Sequence, residues 1–266
     1  MKTLTRESAT QMLNKVPEVT LYFWIIKIMA TTVGETAADF LNADLHFGLT
    51  GTSVVMGALL AVFLFVQLRA RRYVPWRYWV VVVLISVVGT LITDNLVDNF
   101  GVALETTTIA FGLALLATFA AWYASEKTLS IHSIFTRKRE LFYWSAILFT
   151  FALGTAAGDL AAEGLKLGYA NSVLVFGALI ALVTVAYYFF NANAVAAFWI
   201  AYILTRPLGA SLGDNLSQPV ANGGLGLGAM TTSTIFLATI LSLVLYLSAT
   251  RKDVIELRAN ENDRLP

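Results

Sequence analysis

The sequence contains no cysteine, which excludes disulfides, thiolate metal sites and cysteine nucleophiles. It is also poor in charge, because only 13% of its 266 residues are Asp, Glu, Lys or Arg, whereas soluble domains carry about 25%. The net charge is +1 and no basic stripe is interleaved with aromatic residues, so no nucleic-acid partner is expected. Hydrophobic residues make up 58% of the chain, and the mean hydropathy is +0.71. This composition predicts a protein whose main partner is the lipid bilayer.

Long hydrophobic runs account for most of the sequence. A membrane-spanning helix needs about 20 mostly apolar residues, and eight segments have that length. They lie near 17–41, 48–68, 75–98, 104–124, 141–163, 168–190, 194–216 and 226–249. These runs are too long for membrane strands and do not alternate in polarity. The sequence therefore predicts an all-α polytopic membrane protein with eight transmembrane helices.

Lysine and arginine are distributed unevenly between the two sets of loops. Of the 18 such residues, 15 flank the predicted spans on one side and only Lys166 lies on the other, with Lys27 and Arg206 inside spans. Loops rich in Lys and Arg stay in the cytoplasm. We therefore expect a cytoplasmic N-terminus (1–16), a cytoplasmic loop between two halves (125–140) and a cytoplasmic tail (250–266).

One pattern occurs four times, with a Trp followed by a Gly 10 residues later and by an Asp 15 residues later. The copies are Trp24–Gly34–Asp39, Trp79–Gly89–Asp94, Trp144–Gly154–Asp159 and Trp199–Gly209–Asp214. Their offsets of 55, 65 and 55 residues indicate a nested duplication, with two repeats in each half, 17–124 and 141–249. Every two-helix repeat starts and ends on one side, so the repeats are parallel. A pseudo-fourfold or nested twofold bundle would place the four first helices in equivalent positions.

This fourfold pattern resembles the bacterial integral membrane proteins built from four copies of a two-helix repeat of unknown function, which has a characteristic Trp. The resemblance covers about residues 17 to 249. It implies a multi-pass protein of the bacterial inner membrane, and it implies no activity. Oligomers are possible. For the tryptophans we expect anchoring at the membrane interface, and for the glycines either close helix packing or a local break.

The repeated aspartates are the main candidates for function. Fifteen residues of helix place each Asp about 22 Å beyond its Trp, in the outer third of the membrane. A helix C-terminus disfavours an anion, so a cation or a proton would relieve the conflict. Solvation at the interface and a structural polar network are the alternatives. The predicted metal ligands are Asp39, Asp94, Asp159 and Asp214, with Glu35, Asn95, Asn215, Thr52, Thr107, Ser172 and Thr232 as further oxygen donors.

Several charges break the symmetry of the repeats. Arg206 lies eight residues before Asp214, where the other copies have Thr31, Ser86 and Phe151. Glu35 belongs to the first copy alone, since Thr90, Thr155 and Ala210 replace it. Arg206 and Lys27 lie within predicted spans and are therefore functional candidates. The alternatives for each are to pair with a carboxylate, to extend to the interface or to bind a substrate.

These residues favour a transport protein for a cation. Carboxylate and hydroxyl oxygens suit a hard divalent metal ion, and four close carboxylates could not all stay ionised without it, which allows proton exchange. The alternative is a proton-coupled carrier of a small organic solute that uses Arg206 or Lys27. An intramembrane protease is disfavoured because Ala156 and Ser211 replace the first Gly of its Gly-x-Gly-Asp motif. We therefore expect that the protein is not an enzyme and that it has no cofactor other than a possible bound divalent cation. A membrane scaffold that transports nothing is a further alternative.

Overall fold

The computed structural model describes residues 14–44 and 48–254, which form eight long helices and no strand. Most of the N-terminal and C-terminal segments expected in the cytoplasm, 1–13 and 255–266, lies outside the described residues. The long helices are α1 (Leu21–Asp39), α2 (Gly48–Leu68), α3 (Pro75–Asp94), α4 (Leu104–Glu126), α5 (Arg137–Asp159), α6 (Tyr169–Phe189), α7 (Ala194–Ser217) and α8 (Ala229–Thr250). The eight predicted helices are thus confirmed. Their ends differ from the predicted ones by at most four residues, and α5 starts at Arg137 because Thr136 caps its N-terminus.

Seven of these helices, all except α1, are long and apolar enough to cross a membrane by length and composition. Helix α1 is less apolar because it carries Lys27, Glu35 and Asp39 within 19 residues. The outer surfaces of α2, α4 and α6 expose large apolar side chains such as Val62, Leu116 and Leu182. Long helices with apolar surfaces indicate a multi-pass membrane protein.

The helices form two concentric rings. The first helices of the repeats pack in a closed cycle, α1 on α3, α3 on α5, α5 on α7 and α7 on α1. The second helices lie outside, and each packs mainly on the first helix of the next repeat: α2 on α3, α4 on α5, α6 on α7 and α8 on α1. More than half of the apolar segment of α3, α5 and α7 is buried, against 11% for α2, α4 and α6. The predicted equivalence of the four first helices is confirmed.

The repeated glycines lie where neighbouring inner helices are closest. Each faces the residue that precedes the Asp of the next repeat by eight positions. The pairs are Gly34 with Ser86, Gly89 with Phe151, Gly154 with Arg206 and Gly209 with Thr31. The last pair closes the ring from the fourth repeat to the first. Close packing is therefore the correct interpretation of these glycines, and a local break is wrong, because the helices continue through all four.

The tryptophans form a second closed layer near the start of the inner helices. Each residue before a Trp contacts the Trp of the next repeat. The ring-centroid distances are 5.7 Å for Phe23–Trp79, 5.5 Å for Tyr78–Trp144, 6.2 Å for Tyr143–Trp199 and 5.7 Å for Phe198–Trp24. Trp79, Trp144 and Trp199 are at most 5% exposed, so the expectation that they anchor the protein at the interface is wrong. Their burial closes one end of the inner ring.

The two described ends of the chain meet at this same end. Lys15 Nζ forms an ion pair of 2.6 Å with Glu140 Oε2, at the start of α5. Tyr73 Oη donates to Asp253 Oδ2 at 2.5 Å, and the backbone N–H of Glu18 donates to the carbonyl of Asp253. The described N-terminal and C-terminal segments therefore lie on one side of the bundle.

Candidate functional site

The repeated aspartates lie at the opposite end, where three inner helices change their geometry. Helices α1, α3 and α5 end at the Asp itself and continue as five-residue π-helical turns, Phe40–Asp44, Asn95–Asn99 and Leu160–Gly164. Helix α7 instead continues as α-helix for three residues beyond Asp214. Single π-helical turns frequently occur at functional sites. No sequence signal predicted these turns.

The carboxylates of different repeats converge at this end. Glu35, Asp159 and Asp214 each place an oxygen within 4.8 Å of the other two. Asp94 and Asp39 lie within electrostatic range of the same group. The tightest cluster thus contains Glu35 and two of the four repeated aspartates. It does not contain all four aspartates in equivalent positions, as the sequence had suggested. Helices α1, α5 and α7 supply it, because the closed ring brings the first repeat beside the last.

We call this cluster and its rim of exposed acidic side chains the acidic recess, because the helices shield its inner carboxylates from solvent. Glu35 and Asp214 are 6% and 8% exposed, whereas Asp159 is half-buried. Asp98 and Glu163, which follow their repeats' aspartates by four residues, are exposed. Negative charge concentrated at one end of a protein raises the local concentration of cations.

Arg206 is fully buried beneath the carboxylates. Its Nη2 donates to Glu35 Oε2 at 2.9 Å, to Thr155 Oγ1 at 2.7 Å and to the hydroxyl of Thr90. Its Nη1 donates to the carbonyl of Thr31 at 3.2 Å. Three repeats therefore bind a guanidinium that the fourth repeat supplies.

The acceptors of Arg206 occupy equivalent positions in their repeats. Glu35, Thr90 and Thr155 each precede the repeated Asp by four residues, and Arg206's own repeat has Ala210 there. Thr90 and Thr155 were not among the predicted site residues. The signal that could have found them is their alignment with Glu35, one helical turn beyond the position of Arg206.

Lys27 is also fully buried, closer to the aromatic layer. Its Nζ donates to Thr205 Oγ1 at 3.3 Å and lies 4.4 Å and 4.2 Å from the ring centroids of Phe151 and Tyr202. Among the ion pairs in residues 14–44 and 48–254, none includes Lys27. Two aromatic ring faces and one hydrogen bond therefore hold its amine in place.

Most of the other predicted oxygen donors are used within the helical framework, and only Thr52 Oγ1 among their hydroxyls has no hydrogen-bond partner within the described residues. Thr52, Thr107, Ser172 and Thr232 are all buried at the starts of the outer helices. The last three donate to the carbonyl four residues earlier, at 2.9–3.1 Å. Asn95 Nδ2 donates to Ser53 Oγ at 2.9 Å and so joins the turn after α3 to α2. Asn215 is half-buried, and its backbone carbonyl accepts a hydrogen bond from the backbone N–H of Leu225. The carboxylates are therefore the main candidate ligands.

A family model described as Repeat of Unknown Function (DUF347) matches the chain four times, over residues 22–73, 77–128, 142–193 and 197–253. The four matches follow the four repeats and confirm the predicted four-copy organisation. No curated protein and no solved structure matches the chain.

Proposed function

We propose a function for this chain, which belongs to the family described as Repeat of Unknown Function (DUF347), from its own side chains. It is a multi-pass transport protein of the bacterial inner membrane that moves a hard divalent cation, with protons as the exchanged ion. Its termini are cytoplasmic, because the loops at that end carry most of the Lys and Arg residues. The acidic recess then faces the outside.

The charge balance of the recess carries this proposal. Glu35, Asp159 and Asp214 contribute up to three negative charges within 4.8 Å of one another, and the Arg206 guanidinium compensates one. Two charges then remain, the number that one divalent cation or two protons would supply. Carboxylates removed from bulk water need such compensation.

The ligand chemistry favours a hard ion. Carboxylate oxygens suit Ca²⁺, Mg²⁺ and Mn²⁺, and the chain has no thiolate to select a softer metal. Oxygens on opposite sides of Ca²⁺ lie about 4.6–5.2 Å apart, twice the usual bond length. The three carboxylates, whose oxygens lie within 4.8 Å of one another, are close enough to share an ion of that size.

The arrangement of Arg206 weighs against the alternative of an organic anion as substrate. Both terminal nitrogens of its guanidinium already donate to protein oxygens, and the side chain has no exposed surface. An anionic solute would have to displace Glu35 from Arg206 and enter a recess of like charge. That displacement is costly, because a buried carboxylate would lose its partner.

Asp159→Asn and Asp214→Asn each test the proposal, because they remove a charge and keep the side-chain shape. In proteoliposomes, each is expected to reduce Ca²⁺ or Mn²⁺ uptake at least about tenfold, since even indirect supports of a metal site typically contribute 10- to 100-fold. Glu163→Gln, on the exposed rim, is the matched control and is expected to retain most uptake.

Thermal unfolding of each purified variant separates loss of transport from loss of fold. Uptake at the wild-type level in folded Asp159→Asn and Asp214→Asn, and also in Asp39→Asn and Asp94→Asn, would disprove a carboxylate cation site.

A further inference from the structure

The half of the bundle between the recess and the cytoplasmic end is closed to a metal ion but contains hydroxyl groups. Its aromatic layer has Phe23 and Phe198 in the first and last repeats, but Tyr78 and Tyr143 in the middle two. The hydroxyls of Tyr78 and Tyr143 are 2.5 Å apart, and both side chains are fully buried. Phenylalanine already serves for packing at two of these four equivalent positions, so the hydroxyl pair adds a polar link that packing does not require.

A second buried hydroxyl lies on the side of this layer that faces the recess. Tyr202 is fully buried, and within the described residues its Oη has no hydrogen-bond partner. Its ring lies 5.7 Å from that of Trp199, which in turn lies 6.2 Å from the ring of Tyr143. Lys27 Nζ lies over the Tyr202 ring. Lys27 Nζ and the guanidinium of Arg206, which holds Glu35, both lie over the Phe151 ring, at 4.4 Å and 5.7 Å from its centroid. Polar groups therefore continue from the tyrosine pair toward the carboxylates.

Polar groups also continue toward the cytoplasmic face. The Tyr73 ring lies 5.7 Å from that of Tyr78, and Tyr73 Oη donates to Asp253 Oδ2 at 2.5 Å. Burial raises the pKa of the Asp253 carboxyl above its ordinary value. Two other acidic side chains at this end are already paired, Glu140 with Lys15 and Glu126 with Arg139.

We propose that Asp253, Tyr73, Tyr78, Tyr143, Tyr202 and Lys27 form a proton path between the cytoplasmic face and the acidic recess. Each hydroxyl accepts a proton on its oxygen and releases its own proton to the next group, so no heavy atom crosses the aromatic layer. Lys27 accepts the proton as a neutral amine and passes it toward the carboxylates. This inference rests on the proposed cation transport and names the route of its exchanged protons.

Tyr78→Phe, Tyr143→Phe and the double variant test the path, because each introduces the residue that the first and last repeats carry. Each protein is reconstituted into liposomes that contain a pH-sensitive dye. In the first arm, a pH jump is applied with potassium and valinomycin but no divalent cation, and proton movement is measured. In the second arm, a Ca²⁺ gradient is applied, and both proton movement and Ca²⁺ uptake are measured. The double variant is expected to slow proton movement at least about tenfold in both arms. Its Ca²⁺ binding at the recess, measured at equilibrium, is expected to be unchanged.

Tyr188→Phe is the matched control, because that side chain is 72% exposed on the outside of α6. If the folded double variant moves protons as fast as the wild type, the path is overturned. If the double variant does not fold, the same result in both folded single variants overturns it. Ca²⁺ uptake would still support the proposed transport in either case. Absence of Ca²⁺ uptake in the wild type rejects the proposed transport. The pH-jump arm then decides the path alone: loss of proton movement in the variants retains it, and absence of protein-dependent proton movement rejects it.

Discussion

Replacing Arg206 with methionine is expected to lower the free energy of unfolding by about 3–5 kcal/mol, the usual cost of removing one partner of a buried ion pair. The side chains of Arg206 and Glu35 are 0% and 8% exposed and 2.9 Å apart. Without the guanidinium, Glu35 would lie buried beside Asp159 and Asp214 with no cationic side chain in contact. Methionine preserves much of the apolar stem, so most of the loss should be electrostatic. Thermal and denaturant unfolding of the purified protein measure it.

The double variant Arg206→Met with Glu35→Thr identifies the cause. Threonine is the residue that the second and third repeats carry at the Glu35 position, so the change introduces a side chain that the layer already accommodates. The double variant is expected to recover most of the lost stability, because it removes the unpaired charge. If it remains as unstable as Arg206→Met, the loss comes instead from packing of the arginine stem against Gly154. Wild-type stability of Arg206→Met would contradict a structural role for the pair.

The sequence was sufficient to predict the helices and their equivalence. Hydrophobic runs determine where long helices form, and the spacing from Trp to Asp locates corresponding residues in each copy. The closed ring follows from four parallel repeats, and the depth of Arg206 follows from its distance to Asp214 along a helix. These features depend on periodicity, which a single sequence contains.

The contacts across the ring could not be predicted in the same way. The partners of Arg206 come from the other three repeats, so they depend on which helix lies beside which. Burial of Trp79 and Trp144 in the bundle was mistaken for anchoring in the membrane, because lipid and protein core favour the same apolar residues. The π-helical turn after Asp39 has no composition signal, since its sequence is equally compatible with α-helix.

Replacing Gly89 with valine is expected to cost about 3 kcal/mol or more, at the upper end of the usual cost of overpacking. A Cβ at this position would lie 2.6 Å from the Cβ of Phe151 and 3.2 Å from the backbone nitrogen of Ala152. Backbone atoms of α5 cannot move aside as the end of a flexible side chain can. Helices α3 and α5 would have to separate, which would open the aromatic contact between Tyr78 and Trp144 and displace the helix that carries Asp159. Unfolding measurements and the fraction of monodisperse protein report the loss.

Gly177→Val is the matched control for the glycine prediction. Gly177 also lies within a helix, but no heavy atom beyond its own chain neighbourhood lies within 4 Å of the position of its Cβ. The change in helix propensity is similar at the two positions and slightly favours valine. Gly177→Val is therefore expected to stay within about 0.5 kcal/mol of the wild type, as surface substitutions usually do. The difference between the two variants isolates the contact between neighbouring inner helices.

Gly209→Val extends the comparison to the contact between the last and first repeats. Its Cβ would meet the side chain of Thr31 and would lie 3.2 Å from the carbonyl oxygen of Ile28, so α7 and α1 would separate. If the ring is one cooperative unit, this variant should lose about as much stability as Gly89→Val, because each of the two contacts joins the first half of the duplication to the second. A loss confined to Gly89→Val would instead mean that the first and last repeats contribute little to closure. Because Glu35 and Arg206 meet across the same α7–α1 contact, that result would also remove the structural basis for the carboxylate cluster.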